Sequence, residues 1–144
     1  MRKLKNNELN RISVAEFKTT QKTPLIVVLD NIRSLNNIGS VFRTSDAFLI
    51  EKIYLCGITA VPPNKDIHRT ALGATESVAW EYVADTLSLI KKLKVAKIKV
   101  LAIEQAENST KLDTFQPTKG ETYAIVMGNE VKGVQQEVVN ASDL

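Results

Sequence analysis

The chain has 144 residues, with 19 Lys and Arg against 16 Asp and Glu, so its formal net charge is +3. Its 44% hydrophobic and 24% charged residues are typical of one globular domain and exclude a collagen-like or fully disordered chain. One cysteine and one histidine exclude an internal disulfide and a cysteine-based zinc cluster, and no apolar run approaches the ~20 residues of a membrane span. We therefore expect a cytoplasmic protein without a metal and without a membrane partner.

Residues 1–23 form a basic N-terminal arm with six Lys or Arg and two Glu. Leu9, Ile12 and Phe17 predict a short helix or arm that packs loosely on the rest of the chain. Two interpretations stay open: a solvated extension, or an arm that touches the phosphates of a nucleic acid. Residues 24–144 form the main domain.

The first half of this domain predicts two strands joined by a helix. The β-branched run at 24–30 predicts a strand that is buried on both faces, and 52–56 predicts a second strand. The polar stretch S-L-N-N-I-G-S is predicted as a turn before the helix. The apolar face of that helix is expected to carry Ile38, Val41, Phe42, Ser45, Ala47 and Phe48.

The second half continues the alternation. The segment 57–76, which contains two prolines and two glycines, predicts a long functional loop with a helical turn near 67–71. Further strands are predicted at 77–83, 97–104 and 122–128, and further helices at 86–95, capped by Asp85, and at 134–141. This order predicts an α/β fold with a mainly parallel sheet and flanking helices.

Common catalytic signatures are missing from the sequence. None of the six glycines forms G-x-G-x-x-G, so a Rossmann phosphate turn is unsupported. Gly128 and Gly133 have the spacing of a P-loop, but Val134 and Gln135 stand where that loop needs Lys and Ser or Thr. No serine lies in G-x-S-x-G. A flavodoxin-like phosphoacceptor would need an acidic cluster, which Asp30 alone does not supply.

Polar residues concentrate in three segments, 30–43, 69–76 and 127–133. The first and the last follow predicted strands. Ligands of parallel α/β sheets bind at the carboxyl ends of strands, so these segments are the candidate functional site.

The stretch N-N-I-G-S-V-F-R-T-S-D-A-F, which begins at residue 36, resembles the first motif of the SpoU/TrmH family of SPOUT RNA methyltransferases. In that motif an arginine follows an asparagine by six positions, as Arg43 follows Asn37. T-A-L-G-A-T-E-S-V is similar to the family's central loop, and M-G-N-E-V-K-G-V to its second motif. The resemblance covers about residues 24–144. It implies a SPOUT-type α/β knot and a homodimer whose active site is built across the interface.

The family's third motif, a Ser-Leu-Asn stretch before a last helix, would follow the second. The sequence stops at Asp143 and Leu144 without it. In the family this segment completes the knot and part of the cofactor pocket. We therefore expect an incomplete knot, with weak cofactor binding and little or no turnover by this chain alone.

The resemblance implies transfer of a methyl group from S-adenosylmethionine to a ribose 2′-hydroxyl of tRNA or rRNA, without a metal. The expected partners are RNA and a second copy of the chain, and no DNA. The alternative is a non-catalytic RNA-binding protein that retains the fold.

Asn37, Arg43 and Glu130 are the catalytic residues that the resemblance implies. Because a guanidinium keeps its proton far above neutral pH, we expect Arg43 to hold a phosphate and stabilise a developing alkoxide, unless it only pairs with Asp46 along the helix. Asn37 is expected just before the helix, where it orients the ribose, caps the helix or does both. Glu130 orients groups across the site, or is only a charge at a helix N-terminus.

The implied cofactor-binding residues follow two strands: Leu101, Ala102, Ile103, Glu104, Met127, Gly128, Asn129 and Gly133. Core packing is the alternative for the first four, and a plain turn is the alternative for the two glycines. Arg33, Lys65 and Arg69 are predicted to bind RNA phosphates, with simple solvation as the alternative.

Overall fold

Five parallel strands form one sheet in the computed structural model, which describes residues 1–144. The strands are β1 (Thr23–Asp30), β2 (Ile50–Cys56), β3 (Trp80–Val83), β4 (Lys99–Ile103) and β5 (Tyr123–Gly128). Their spatial order is β3-β2-β1-β5-β4, and every neighbouring pair is parallel. The predicted α/β fold with a parallel sheet is confirmed.

Six helices flank the sheet: α1 (Val14–Thr19), α2 (Leu35–Ala47), α3 (Lys65–Ala71), α4 (Ala74–Ser77), α5 (Thr86–Val95) and α6 (Gln136–Ala141). Side-chain oxygens of Ser13, Ser34 and Asp85 accept backbone N–H groups at the starts of α1, α2 and α5, which satisfies donors that have no partner within a helix. None of the helices is long and apolar enough to cross a membrane.

Both faces of the sheet are covered, because successive residues of a strand point to opposite sides. On β1, Val27 and Leu29 join the core under α2 and α3, whereas Ile26 and Val28 join the core under α5 and α6. The helix that follows β1 and the helix that follows β5 therefore lie on opposite faces.

The N-terminal arm packs on the domain through its short helix α1. Phe17 of α1 is buried in the core under α2, and Lys22 Nζ lies 4.6 Å from the centroid of its ring. Leu9 and Ile12 are exposed, so Phe17 is the one of the three predicted contact residues that is buried.

The pairing of β1 with β5 determines where the loops meet. Asp30 and Gly128, the last residues of these two strands, are partners in the register. After β1 the chain turns toward one face of the sheet, and after β5 it turns toward the other face. A crevice therefore opens between the loop after β1 and the loop after β5. In parallel α/β sheets this topological switch point is where ligands bind.

The structure corrects four sequence predictions. The stretch predicted as a turn at 34–40 holds the cap and first turns of α2, which ends at Ala47. Phe48, expected on the apolar face of that helix, is 67% exposed. The loop at 57–76 contains two helices, α3 and α4, and the strand predicted at 77–83 is shorter, Trp80–Val83. The segment forms helices because α3 packs against α2, a contact that the sequence does not reveal.

Gly39 allows α2 and α3 to approach closely. A Cβ at this position would overlap Thr70 Oγ1 and the carbonyl oxygen of Ile67. We expect Gly39→Ala to lower the free energy of unfolding by about 1–3 kcal/mol, because α3 must move to relieve the overlap. Urea unfolding followed by circular dichroism measures the change.

The matched control is Ser40→Ala, at the next and exposed position of α2. We expect it to change stability by less than about 0.5 kcal/mol. Equal stability of the Gly39→Ala and Ser40→Ala variants would contradict the close packing of the two helices.

Candidate active site

One carboxylate joins the loops that follow β1 and β5. Glu130 Oε1 accepts hydrogen bonds from Asn37 Nδ2 at 3.2 Å and from the Ser34 N–H at 3.0 Å, and Oε2 accepts from the Arg33 N–H at 3.1 Å. The structure therefore brings together two of the three residues predicted to be catalytic, although 93 positions of sequence separate them.

The hydrogen bonds of Glu130 determine its charge. Partial desolvation raises the pKa of this carboxyl group. The N–H groups of Arg33, Glu130 itself and Ser34, together with the amide of Asn37, outweigh that effect and hold the pKa below its ordinary value. The ionised carboxylate is suited to accepting hydrogen bonds and is a weak base for removing a proton at neutral pH.

Asn37 lies in the first turn of α2, and the residue that caps the helix is Ser34. The Ser34 Oγ accepts the N–H of Asn37 at 3.2 Å. The expectation that Asn37 precedes or caps the helix is therefore wrong. Side chains of a helix lean toward its N-terminus, which explains how the Asn37 amide reaches Glu130 in the neighbouring loop.

The loop that carries Glu130 is closed at its base. Asn129 and Gly133 exchange two backbone hydrogen bonds, at 3.0 and 2.8 Å. Gly133 has a φ of +69°, which glycine adopts without steric cost. A Cβ on Gly128 would overlap the backbone of Gly133 and Val134. The geometry of this turn requires both glycines.

Arg43 does not join the contact between Asn37 and Glu130 within one chain. It follows Asn37 by six residues, which places it about 9 Å further along α2 and about 120° around the axis. Its side chain is exposed and forms no ion pair. The alternative pairing with Asp46 is wrong, because no ion pair joins the two side chains; Asp46 Oδ1 instead accepts the hydroxyl of Ser77. The guanidinium is available to bind a ligand.

Arg33, Lys65 and Arg69, the predicted RNA-binding residues, all have exposed side chains. Arg69 Nη2 donates to Asn36 Oδ1 at 3.0 Å and thereby ties α3 to the first turn of α2. Asn36 and Arg43 are seven residues apart and lie within about 20° of each other on α2. Asn36, Arg43 and Arg69 therefore share one side of the helix, which we call the arginine face.

A cleft of about 1440 Å³ opens beside β4, under the segment 105–121. Leu101, Ala102, Ile103 and Glu104, half of the predicted cofactor-binding residues, line this cleft. Apolar walls with a few polar groups are typical of small-molecule sites. The cleft therefore has the size and chemistry for a cofactor with an aromatic ring.

Glu104 connects the cleft to the loop after β5. Its Oε1 accepts the Gln105 N–H and its Oε2 accepts the Val134 N–H, both at 2.9 Å. These two N–H groups hold the pKa of Glu104 below its ordinary value. Gly133 packs against the same carboxylate so closely that a Cβ would overlap it. Gly133 thus contacts a residue that lines the cleft.

The other three predicted cofactor-binding residues lie outside the cleft. Met127 lines an apolar groove of about 460 Å³ between α2 and the sheet, whereas Gly128 and Asn129 lie at the base of the Glu130 loop. The groove adjoins the cleft, because Leu25 and Ile125 line both. Four of the eight residues therefore line the cleft, Gly133 contacts one of these four, and three lie at neighbouring positions.

Sequence reasoning missed two organising residues, Ser34 and Asp30. A serine three positions before Asn37 is a recognisable capping signal, but the polar surroundings resembled a turn. Asp30 is fully buried at the end of β1, and an acidic residue that ends an apolar run is the signal that could have singled it out. No group of three His, Cys, Asp or Glu side chains is placed to hold a metal ion.

The fold and the crevice define a parallel α/β domain whose candidate site lies between the loops after β1 and β5. A family model described as "SpoU rRNA Methylase family" matches residues 24–144. The chain belongs to this family, as its motifs predicted.

Two curated relatives are similar at the level of sequence. The 23S rRNA (guanosine-2'-O-)-methyltransferase RlmB of Vibrio parahaemolyticus is 27% identical over 129 residues, which are 90% of this chain and 51% of the relative. The protein with the same name from Nitrosomonas europaea is 27% identical over 120 residues, 83% of this chain and 45% of the relative. The chain spans about half the length of these relatives.

Two solved structures share the fold. The TrmH/SpoU tRNA modifying enzyme of A. aeolicus superposes with a TM-score of 0.76 at 22% identity, over 90% of this chain and 64% of that one. The AdoMet-bound rRNA methyltransferase of Sinorhizobium meliloti superposes with a TM-score of 0.75 at 27% identity, over 85% of this chain and 46% of that one.

We expect Glu130→Gln to destabilise the protein by about 1 kcal/mol at neutral pH, because the exposed site loses a charged acceptor for three donors. The folded state lowers the pKa of Glu130. Its contribution is therefore complete above the ordinary glutamate pKa and is lost as the pH falls through the folded-state pKa. Urea unfolding at neutral pH and at about pH 3 should show the stability difference from wild type closing in acid.

Glu107→Gln is the control, because Glu107 is exposed and accepts no hydrogen bond. It should match wild type at both pH values. A destabilisation by Glu130→Gln that persists undiminished in acid would show that the carboxylate charge is not responsible.

Proposed function

We propose that the protein is an S-adenosylmethionine-dependent methyltransferase that modifies a ribose 2′-hydroxyl of tRNA or rRNA. The observation that carries this proposal is the hydrogen bond between Asn37 of the first motif and Glu130 of the second, at the edge of the sheet where α/β proteins bind ligands. The relatives support the reaction, because two are named guanosine-2'-O-methyltransferases and one solved neighbour is AdoMet-bound.

The residues of the cleft fit S-adenosylmethionine. Leu101 and Ile103 offer apolar contacts for the adenine ring, and the ionised Glu104 offers acceptors for ribose hydroxyls. Gly133 leaves room for this carboxylate, since a Cβ there would overlap it. We assign the remaining contacts to the backbone of Ala102 and to the adjoining residues Met127, Gly128 and Asn129. When bound, the cofactor supplies an electrophilic methyl group.

The residues of the crevice must orient the 2′-hydroxyl and accommodate the charge that its oxygen develops as the proton leaves. Glu130, an ionised acceptor fixed by three donors, orients the ribose. Asn37 donates to Glu130 through Nδ2, which leaves its amide oxygen available to the substrate hydroxyl. The two side chains act as one unit that holds the sugar in line with the methyl group.

Arg43 holds the phosphate next to the reacting ribose and stabilises the developing alkoxide by its positive charge. The RNA backbone fills the distance of about 9 Å along α2 between Asn37 and Arg43, with its sugar at the first residue and its phosphate at the second. This arrangement requires an extended substrate and therefore favours a polynucleotide over a single nucleoside.

The remaining RNA contacts lie around the same crevice. Arg69 belongs to the arginine face, Arg33 donates its own backbone N–H to Glu130, and Lys65 begins α3. The basic arm at 1–23 extends this surface. Such contacts bind phosphates without regard to sequence and weaken with salt. We place the reaction in the cytoplasm.

We further propose that the protein works as a homodimer that uses the apolar groove beside α2. This groove is lined by Val41 of α2, by Phe48 directly after α2, and by Ile125 and Met127 of β5. Phe48 is 67% exposed, and a contiguous exposed apolar surface is typical of an interaction site. A second copy that covers the groove would place its own residues next to the crevice.

We expect Arg43→Ala to reduce methyl transfer to RNA by about 10²–10³-fold, because one electrostatic stabiliser of the transition state is lost. Transfer of a labelled methyl group to RNA from cells that lack the gene measures the rate. Calorimetry with S-adenosylhomocysteine should show unchanged affinity, since Arg43 lies away from the cleft.

Lys91→Ala, at an exposed lysine of α5 on the opposite face of the sheet, is the control and should retain most of the activity. Equal rates for the Arg43→Ala variant and the wild type would contradict the role of Arg43. RNA binding by the wild-type protein without any methyl transfer would instead support a non-catalytic RNA-binding protein.

Phe48→Ser tests the dimer. We expect sedimentation velocity to show a smaller dimer fraction at equal concentration, because the substitution removes a large apolar contact from the groove. Val95→Ser is the matched control, since Val95 is 85% exposed at the end of α5, on the opposite face of the sheet. A dimer weakened equally by both variants, or by neither, would rule out the groove as the interface.

A further inference from the structure

Asp30 is a fully buried carboxylate at the end of the central strand β1. It accepts four hydrogen bonds: from Thr86 Oγ1 at 2.6 Å, from Asn31 Nδ2 at 2.9 Å, and from the N–H and Nε2 of Gln135 at 3.0 and 2.8 Å. No Lys or Arg forms an ion pair with it. All of its partners are neutral donors.

Two helix N-termini explain how a carboxylate is tolerated at this buried position. Thr86 is the first residue of α5, and Gln135 immediately precedes α6. Helix N-termini carry partial positive charge, so both helices favour a negative group there. Buried charges seldom add stability beyond what apolar residues would give. We therefore explain the hydrogen bonds of Asp30 by the backbone conformation that they hold in place.

The hydrogen bonds of Asp30 hold the loop between β5 and α6. Its first residue, Asn129, donates through Nδ2 to the Asn31 carbonyl at 2.8 Å. Its last residue, Gln135, makes two hydrogen bonds to Asp30. Both ends of the loop are therefore attached to the end of β1, and Glu130 lies between them.

We propose that Asp30 is a positioning residue, which holds the loop at 129–135 so that Glu130 reaches the N–H groups of Arg33 and Ser34 and the amide of Asn37. Asp30 touches neither the crevice nor the cleft, so it acts through Gln135. The catalytic consequence rests on the proposed function, but the positioning can be tested without it.

The test compares Asp30→Asn with wild type by NMR titration of the Glu130 side chain. Asparagine keeps the shape of aspartate but replaces one of the two acceptor oxygens with an NH₂ group. Because both oxygens of Asp30 accept hydrogen bonds, at least one donor loses its acceptor whichever way the amide is turned. If Asp30 positions the loop, Glu130 loses its hydrogen bonds and its pKa rises toward the ordinary value. Removal of a nearby negative charge alone would lower the pKa of Glu130 further. The direction of the change therefore separates positioning from simple electrostatics.

Hydrogen exchange supplies a second measurement on the same sample. Protection of the Arg33 and Ser34 amides should fall about tenfold or more in Asp30→Asn, because their acceptor becomes mobile. Asp143→Asn is the control, since Asp143 accepts from Val100 and Lys94 at the edge of the sheet and does not contact the loop. It should change neither the titration nor the exchange of these residues.

If Asp30→Asn does not fold, Gln135→Ala replaces it, because Gln135 is exposed and the substitution removes only the Nε2 donor. We expect changes in the same direction, but smaller. An unchanged or lowered pKa of Glu130 in the folded variant would overturn the proposal. A raised pKa in a protein that never methylates RNA would support the positioning role and contradict the proposed function instead.

Discussion

The parallel pairing of β1 with β5 is the constraint on which the candidate site depends. It ends both strands at one level, where Asp30 and Gly128 are partners, and α2 and α6 then leave toward opposite faces of the sheet. The resulting crevice exposes backbone N–H groups that no strand or helix can pair. Glu130 accepts hydrogen bonds from two of these N–H groups across the crevice. The same contacts orient its charged carboxylate at the surface.

Negative and positive side chains lie on different sides of the crevice. On one side, carboxylates are fixed by backbone N–H groups, as Glu130 and Glu104 are, and their pKa values are lowered. On the other side, Arg43 has no ion-pair partner, whereas Arg69 donates to the amide oxygen of Asn36 and lies 3.9 Å from Asp66 Oδ1. Glu130 and Glu104 are already hydrogen-bonded within the protein, so they do not neutralise Arg43. The crevice therefore combines an unpaired positive charge with an oriented negative acceptor.

Most elements of the fold could be predicted from sequence, because the central strands β1 and β5 are runs of β-branched or apolar residues with local signals at their ends. Helix α5 was predicted at its observed bounds, since Asp85 caps it and its apolar positions have helical spacing. The start of α2 was not, because a capping serine followed by two asparagines resembles a turn until α3 packs against it. The roles of Asp30 and Glu130 depend on partners 105 and 93 residues away, and no local pattern records such contacts.

Helix α2 presents three different surfaces, and its rotation about its own axis determines all of them together. Ile38, Phe42 and Ser45 are buried against the sheet. Val41, Thr44 and Phe48 line the groove, and Asn37 precedes them at the same helical spacing. The arginine face lies on the remaining side. Gly39 lies so close to α3 that a Cβ there would overlap Thr70 Oγ1 and the Ile67 carbonyl oxygen. This close packing restricts how far the helix can turn about its axis, and so it helps to set the core, the groove and the arginine face relative to one another.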